Sequence, residues 1–183
     1  GYNDHAVAGL DDGFTDFAAY RPDRPPSHYV VKPPDPLQWL VAGPFAYDRS
    51  LPSPPGALDH MITGGNWSIG LQRVPWKSAT GDYIKDSAID LTALLGSADH
   101  SDAYAFTTFS ADRSTPVEFA VGADDGFVVW LNGEEIFCSE KPGGFQPVLE
   151  RFLGVLAPGE NYLLCRVRHD TGAWRFRLEA LDI

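Results

Sequence analysis

Residues 116–138 read PVEFAVGADDGFVVWLNGEEIFC, and the fold class follows from this stretch. Val117, Phe119 and Val121 alternate with Glu118 and Ala120, the period of two of a half-buried strand. Asp124-Asp125-Gly126 breaks the alternation, and Phe127 to Leu131 resumes it. Asn132-Gly133 supplies the two positive-φ positions of a two-residue type I′ hairpin, and Glu134 to Cys138 runs back. The stretch specifies three successive antiparallel strands, with two adjacent carboxylates at one of the turns.

The same punctuation recurs on both sides. Strands are expected near 67–76, 87–91, 102–110, 150–156, 161–169 and 173–181, with turns at Ser114-Thr115, Pro158-Gly159 and Thr171-Gly172. Before them, LQWLVAGPF at 37–45 reads as an apolar strand ended by Gly43-Pro44, and 46–66 as an extended surface loop. Helical character is confined to one turn, Thr92 to Leu95, after an Asp90 cap. Short strands at this spacing mean a sandwich or a barrel. Residues 21–36 hold six prolines, which forbids regular helix and favours extended backbone. The expected organisation is an irregular N-terminal arm or linker over 1–36 and one β domain over 37–183.

The 183 residues carry a net charge of −11, from 25 acidic against 14 basic side chains. A field of that sign repels phosphate backbones and anionic lipid, which argues against nucleic-acid partners. No apolar run reaches the roughly 18 to 20 residues of a membrane helix, so membrane insertion is not expected. Neutral ligands or cations are favoured, and the many aspartates are compatible with calcium. Cys165 shares a face with Leu163 and Val167, and Cys138 with Ile136, so two core thiols are expected in preference to a disulfide. The chain opens on glycine with no signal-like segment, consistent with a piece of something larger. No GxSxG, HExxH, Walker, GxGxxG or CxxC pattern occurs, and five histidines lie scattered without metal-ligand spacing.

WLVAGPF at 39–45, IDL at 89–91, AYAFTTF at 103–109, VGADDGFVVWLNGEEIF at 121–137, LAPGENYLLCRVRH at 156–169 and WRFRLEAL at 174–181 form an ordered series. Over about 37–183 the series resembles the galactose-binding-domain-like β-sandwich modules. That resemblance implies an all-β, antiparallel jelly-roll sandwich, a carbohydrate-binding or accessory role, and a secreted or cell-surface setting, as part of a bacterial enzyme. The ADDG turn before VWLNG is also similar to the anthrax-protective-antigen-type domain, in which paired aspartates help hold calcium and a sugar.

Strand parity gives a separate argument. If each strand crosses the sandwich once, the turn 123–126, the loop 139–149 and the turn 169–173 share one end, and 110–115, 132–133 and 157–160 share the other. The first end would gather Asp124, Asp125, Lys141, Phe145, Gln146, His169, Asp170 and the start of a strand at Trp174. Sugars are held by planar hydrogen-bonding groups beside an aromatic face. Asp124, Asp125, Phe145, Gln146, His169, Asp170 and Trp174 are therefore the candidate ligand-binding residues. Each has a plainer alternative: an Asx turn at Asp124-Asp125, loop packing for Phe145, a solvated turn at His169-Asp170, and core packing for Trp174 beside Phe176 and Leu178. Trp39 and Trp130 are assigned to structure, and Trp67, Trp76 and Tyr83 stay open.

The expected function is that of a non-catalytic module of a polysaccharide-active enzyme, with a neutral oligo- or polysaccharide as ligand. Its other partner would be the adjacent catalytic domain or subunit. The alternative is an accessory domain that packs on a partner without binding sugar.

Overall fold

The computed structural model describes residues 38–46, 67–69, 72–140, 143–146 and 150–181. The arm expected over 1–36, nearly all of the loop expected over 46–66, the Trp67 side chain and Lys141 lie outside the described residues. Among those described, the strands are β1 (Trp39–Ala46), β2 (Trp67–Ile69), β3 (Gln72–Val74), β4 (Lys77–Ala79), β5 (Ile84–Lys85), β6 (Ala88–Asp90), β7 (Ser101–Ala111), β8 (Thr115–Ala123), β9 (Phe127–Leu131), β10 (Glu134–Ser139), β11 (Glu150–Leu156), β12 (Gly159–His169) and β13 (Arg175–Leu181). One α-helix is present among the described residues, α1 (Leu91–Leu95), which is capped by Asp90, whose side chain accepts from the Ala93 N–H at 2.9 Å.

Two antiparallel sheets form a sandwich, so the all-β expectation holds. One sheet runs β10-β9-β12-β7-β1-β4 and the other β11-β8-β13-β6-β5, while β2 and β3 pair as a short ribbon. The alternation read from 116–138 is what fills the space between them. Val117, Phe119, Val121 and Ala123 of β8 face Phe127, Val129 and Leu131 of β9 and Leu163, Cys165 and Val167 of β12 within one core. Trp39 meets Phe176 edge-on at 5.5 Å, and Phe137 stacks on Phe152 at 4.5 Å. Asn132 and Gly133 take φ of 53° and 88°, as the hairpin requires.

Two local expectations need correction. Gly43-Pro44, a cis peptide, does not end β1: the strand goes on to Ala46, and its register with β7 shifts between Ala42 and Phe45 to absorb the interruption. In β10 the register shifts between Glu135 and Phe137, so parity fails there. Ile136 and Phe137 both reach the core while Cys138 is exposed. Cys165 is a buried free thiol as expected, and burial raises its pKa well above the usual thiol value.

Candidate functional site

β8 delivers Asp124 and Asp125 to the end of the sandwich, where their turn lies between two other connections. Asp124 Oδ1 accepts the Phe145 N–H at 2.8 Å, and Oδ2 accepts the Arg175 N–H at 2.5 Å. Asp125 Oδ1 accepts the Gly143 N–H at 3.4 Å, and Oδ2 accepts the Asp170 N–H at 2.8 Å. Each aspartate thus ties one strand-to-strand connection to another, and the three connections that parity sends to one end meet there. The carboxylates neither close an Asx turn on their own backbone nor stand open to solvent: they are 6% and 8% exposed. Burial raises the Asp124 pKa, and the backbone bonds from Arg175 and Phe145 oppose that rise.

The remaining candidates divide by exposure. Phe145 is half-buried with the Arg175 guanidinium 5.8 Å from its ring centroid, and Gln146 is exposed beside it. Asp170 is half-buried. His169 and Trp174 are 1% exposed each and stack ring on ring at 4.9 Å beneath the loops, so a ligand resting on this end meets neither ring. Trp174 is fixed from both sides, its carbonyl accepting the Leu91 N–H at 2.8 Å and its N–H donating to Thr92 Oγ1 at 3.1 Å. Trp39 and Trp130 are buried, as assigned, and Trp76 and Tyr83 are partly buried against the core clusters.

At the opposite end Asn132 and Asn161 make a network that is purely structural. Asn132 donates to Asn161 Oδ1 at 2.8 Å and accepts the Tyr162 N–H, while Asn161 bonds Ala157 N–H and carbonyl and the Gly159 carbonyl. Its polar atoms are consumed in closing two turns.

The protective-antigen-type resemblance implies calcium at the paired aspartates, and the residues do not fit it. All four oxygens of Asp124 and Asp125 already accept a backbone N–H, so no oxygen of the pair is left wholly to a cation. Among the described residues no group of three His, Cys, Asp or Glu converges to hold a metal.

Sequence reasoning missed three arginines next to this end. Arg175 follows Trp174 and reaches back over Phe145. Arg166 and Arg168 point outward from β12 and are nearly buried against Glu140 and Asp102. The signal was available: Arg166 and Arg168 alternate with Cys165 and Val167, so an inward face for the second pair puts the arginines on the other face.

Among the described residues no helix is long and apolar enough to cross a membrane. No family model matches the sequence, and no curated protein matches it. Several solved structures are similar. A PA14 sugar-binding domain from an RTX adhesin is 18% identical with a TM-score of 0.47, covering 79% of this chain and 90% of that one. The epithelial adhesin 9 A domain of Candida glabrata, solved in complex with Galb1-4GlcNAc, is 9% identical with a TM-score of 0.45, covering 85% and 89%. A beta-glucosidase from Kluyveromyces marxianus in complex with glucose is 11% identical with a TM-score of 0.44 over 80% of this chain, which spans 16% of that enzyme's length.

Proposed function

We propose that the protein is a non-catalytic carbohydrate-binding module of a larger polysaccharide-active enzyme in a secreted or cell-surface setting. A neutral glycan is held at the end where 124–126, 143–146 and 169–173 meet. The observation that carries this reading is the use of Asp124 and Asp125. They fix two connections by their backbone N–H groups and leave Phe145, Gln146 and Asp170 at the rim, a ring beside an amide and a carboxylate. Preorganised backbone lowers the ordering cost of a weak polar ligand. In this reading Phe145 supplies the stacking face, Gln146 and Asp170 the hydrogen bonds, and His169 and Trp174 the rigid floor.

Calorimetry against a panel of neutral plant and microbial glycans is the test. The expected result is heat with at least one glycan and affinity lower by roughly tenfold in Phe145→Ala, the loss of about 1.4 kcal/mol. Absence of heat with every glycan sinks the reading.

A second reading, an interaction module that packs on a partner, is favoured by a different feature. Leu153 and Val155, 69% and 60% exposed, stand on β11, an edge strand of the five-stranded sheet. Retention of a larger enzyme chain by the wild type and its loss in Leu153→Lys would favour this reading; equal retention by both would remove it.

A further inference from the structure

Beside the loop end, the outer face of the six-stranded sheet carries a charge cluster that the neutral-glycan reading leaves unused. Arg166 and Arg168, each 8% exposed, point outward from β12. Asp102 lies opposite Arg168 in the β7–β12 register and is fully buried, and among the described residues neither of its carboxylate oxygens has a hydrogen-bond partner. Glu140, just after β10, places one oxygen, Oε1, 3.3 Å from Arg168 Nη2 and 3.6 Å from Arg166 Nη2, yet its side chain is 56% exposed. Gly126 makes this approach possible: a Cβ there would lie 3.0 Å from the Ser139 carbonyl oxygen and 3.2 Å from Glu140 Cα, both backbone. The result is a surface depression walled by the two arginines, Ser139, Glu140 and the start of β9.

Nearly buried guanidinium groups are costly without an anion held by good hydrogen bonds. Each is a planar fork that matches a carboxylate through two parallel N–H bonds. Arg166 also donates to the Tyr104 hydroxyl. Glu140 reaches the pair through one oxygen, from an exposed and rotatable side chain, so the carboxylate there is one that another carboxylate can replace.

The geometry points to a second ligand site, in which Arg166 and Arg168 bind the carboxylate of a small acidic ligand, such as a hexuronate, and Glu140 is the internal carboxylate that the ligand displaces. The site stands apart from the neutral-glycan reading, since it uses none of the residues at the loop rim. Asp102 tunes it. The groups around Asp102 are Arg166 and Arg168 from β12, Glu140, Asp170, Tyr104 on its own strand and the apolar Phe45 paired to it from β1. Burial lifts its pKa to about 6, against the opposing pull of the two arginines. Protonating Asp102 removes a negative charge behind the guanidinium groups, so carboxylate affinity rises as pH falls through that value.

Titrate the full chain with D-galacturonate, D-galactose and inorganic sulfate, by amide chemical shifts and calorimetry, at pH 7.5 and 5.5. Glu140→Gln removes the competing charge at an exposed position and should bind galacturonate roughly tenfold more tightly than wild type. Arg168→Lys, with thermal unfolding as a control for folding, should weaken it. Galacturonate bound no better by Glu140→Gln than by wild type overturns the proposal, and so does sulfate binding as tightly as galacturonate. Galacturonate binding that responds to Glu140, with no heat from any neutral sugar, leaves this site standing and fells the neutral-glycan reading alone.

Discussion

Asp124 and Asp125, themselves buried, each accept two backbone N–H groups at a partly buried junction of three loops. Removing the acceptor strands the donors, which costs about 1–3 kcal/mol for each buried group. Asp124→Ala should therefore lower the unfolding free energy by roughly 2–4 kcal/mol in urea. Asp170→Ala should change it by less than about 0.5 kcal/mol, because Asp170 enters the network through its main chain. Equal losses in the two variants would mean that the carboxylate bonds do not hold the junction. Asp102 makes a different prediction. Its folded pKa of about 6 lies above the ordinary 3.8, so the folded chain binds the proton more tightly than the unfolded one between these values. The cost of the buried charge is then fully present above pH 6 and relieved as pH falls toward 3.8, by about 3 kcal/mol at 1.36 kcal/mol per pKa unit. Urea unfolding at pH 4.5 and 7.5 should show this slope in wild type and lose it in Asp102→Asn. Parallel pH profiles would show that Asp102 is not buried as an unpartnered acid.

Among the elements, β11 illustrates how a strand is fitted to one place. Its residues alternate cleanly, with Phe152 and Leu156 in the core and Leu153 and Val155 outside. Between them Gly154 faces inward, where an added Cβ would stand 2.8 Å from Phe119 Cε2, 3.4 Å from Leu131 Cδ2 and 3.5 Å from Ile136 Cδ1. Phe119 is itself fixed against Phe152 at 5.5 Å, so the ring has little room to yield. Gly154→Ala should destabilise by about 1–3 kcal/mol, read as a lower denaturation midpoint, whereas an unchanged midpoint would show that Phe119 repacks. What was legible in the sequence follows from the same physics. Period-two alternation and the Asn132-Gly133 turn located β8, β9 and β10, and the Asp90 cap located α1, because those signals are local. The strand continuing through Gly43-Pro44 and the exposed Cys138 were hidden, since a register shift is decided by the partner strand. For the site, parity gathered the three connections correctly. It could not say that Asp124 and Asp125 face inward onto N–H groups of other loops, or that His169 and Trp174 pack beneath them, because those are tertiary outcomes.

At the scale of the whole molecule the two sheets are not equivalent. The five-stranded sheet exposes the outer face of its edge, at Leu153 and Val155. The inner strands of the six-stranded sheet are buried on both faces: beyond the central core, their outer side carries a second cluster of Ala42, Phe45, Tyr104, Phe106, Val128, Trp130 and Leu164, joined by Val74 from β3 and flanked by Trp76 and Tyr162. This explains why FVVWL of β9 is apolar at every position, as strands buried on both faces are, while β11 alternates. It also explains why two arginines and an aspartate on that outer face are nearly dry, since they border an apolar layer. The consequence can be measured at Trp130, which is 4% exposed in the outer cluster and whose indole N–H has no hydrogen-bond partner among the described residues. If the outer layer is a true second core, Trp130→Ala should cost roughly 3–5 kcal/mol, as large a loss as an inner-core truncation. Trp130→Phe keeps most of the apolar area and deletes a buried donor that bonds nothing, so it should cost less than about 1.5 kcal/mol. Urea denaturation of both variants decides the point. A Trp130→Ala loss below about 1 kcal/mol would mean that the outer cluster contributes no core-like packing, and the dry setting assigned to Arg166, Arg168 and Asp102 would fall with it.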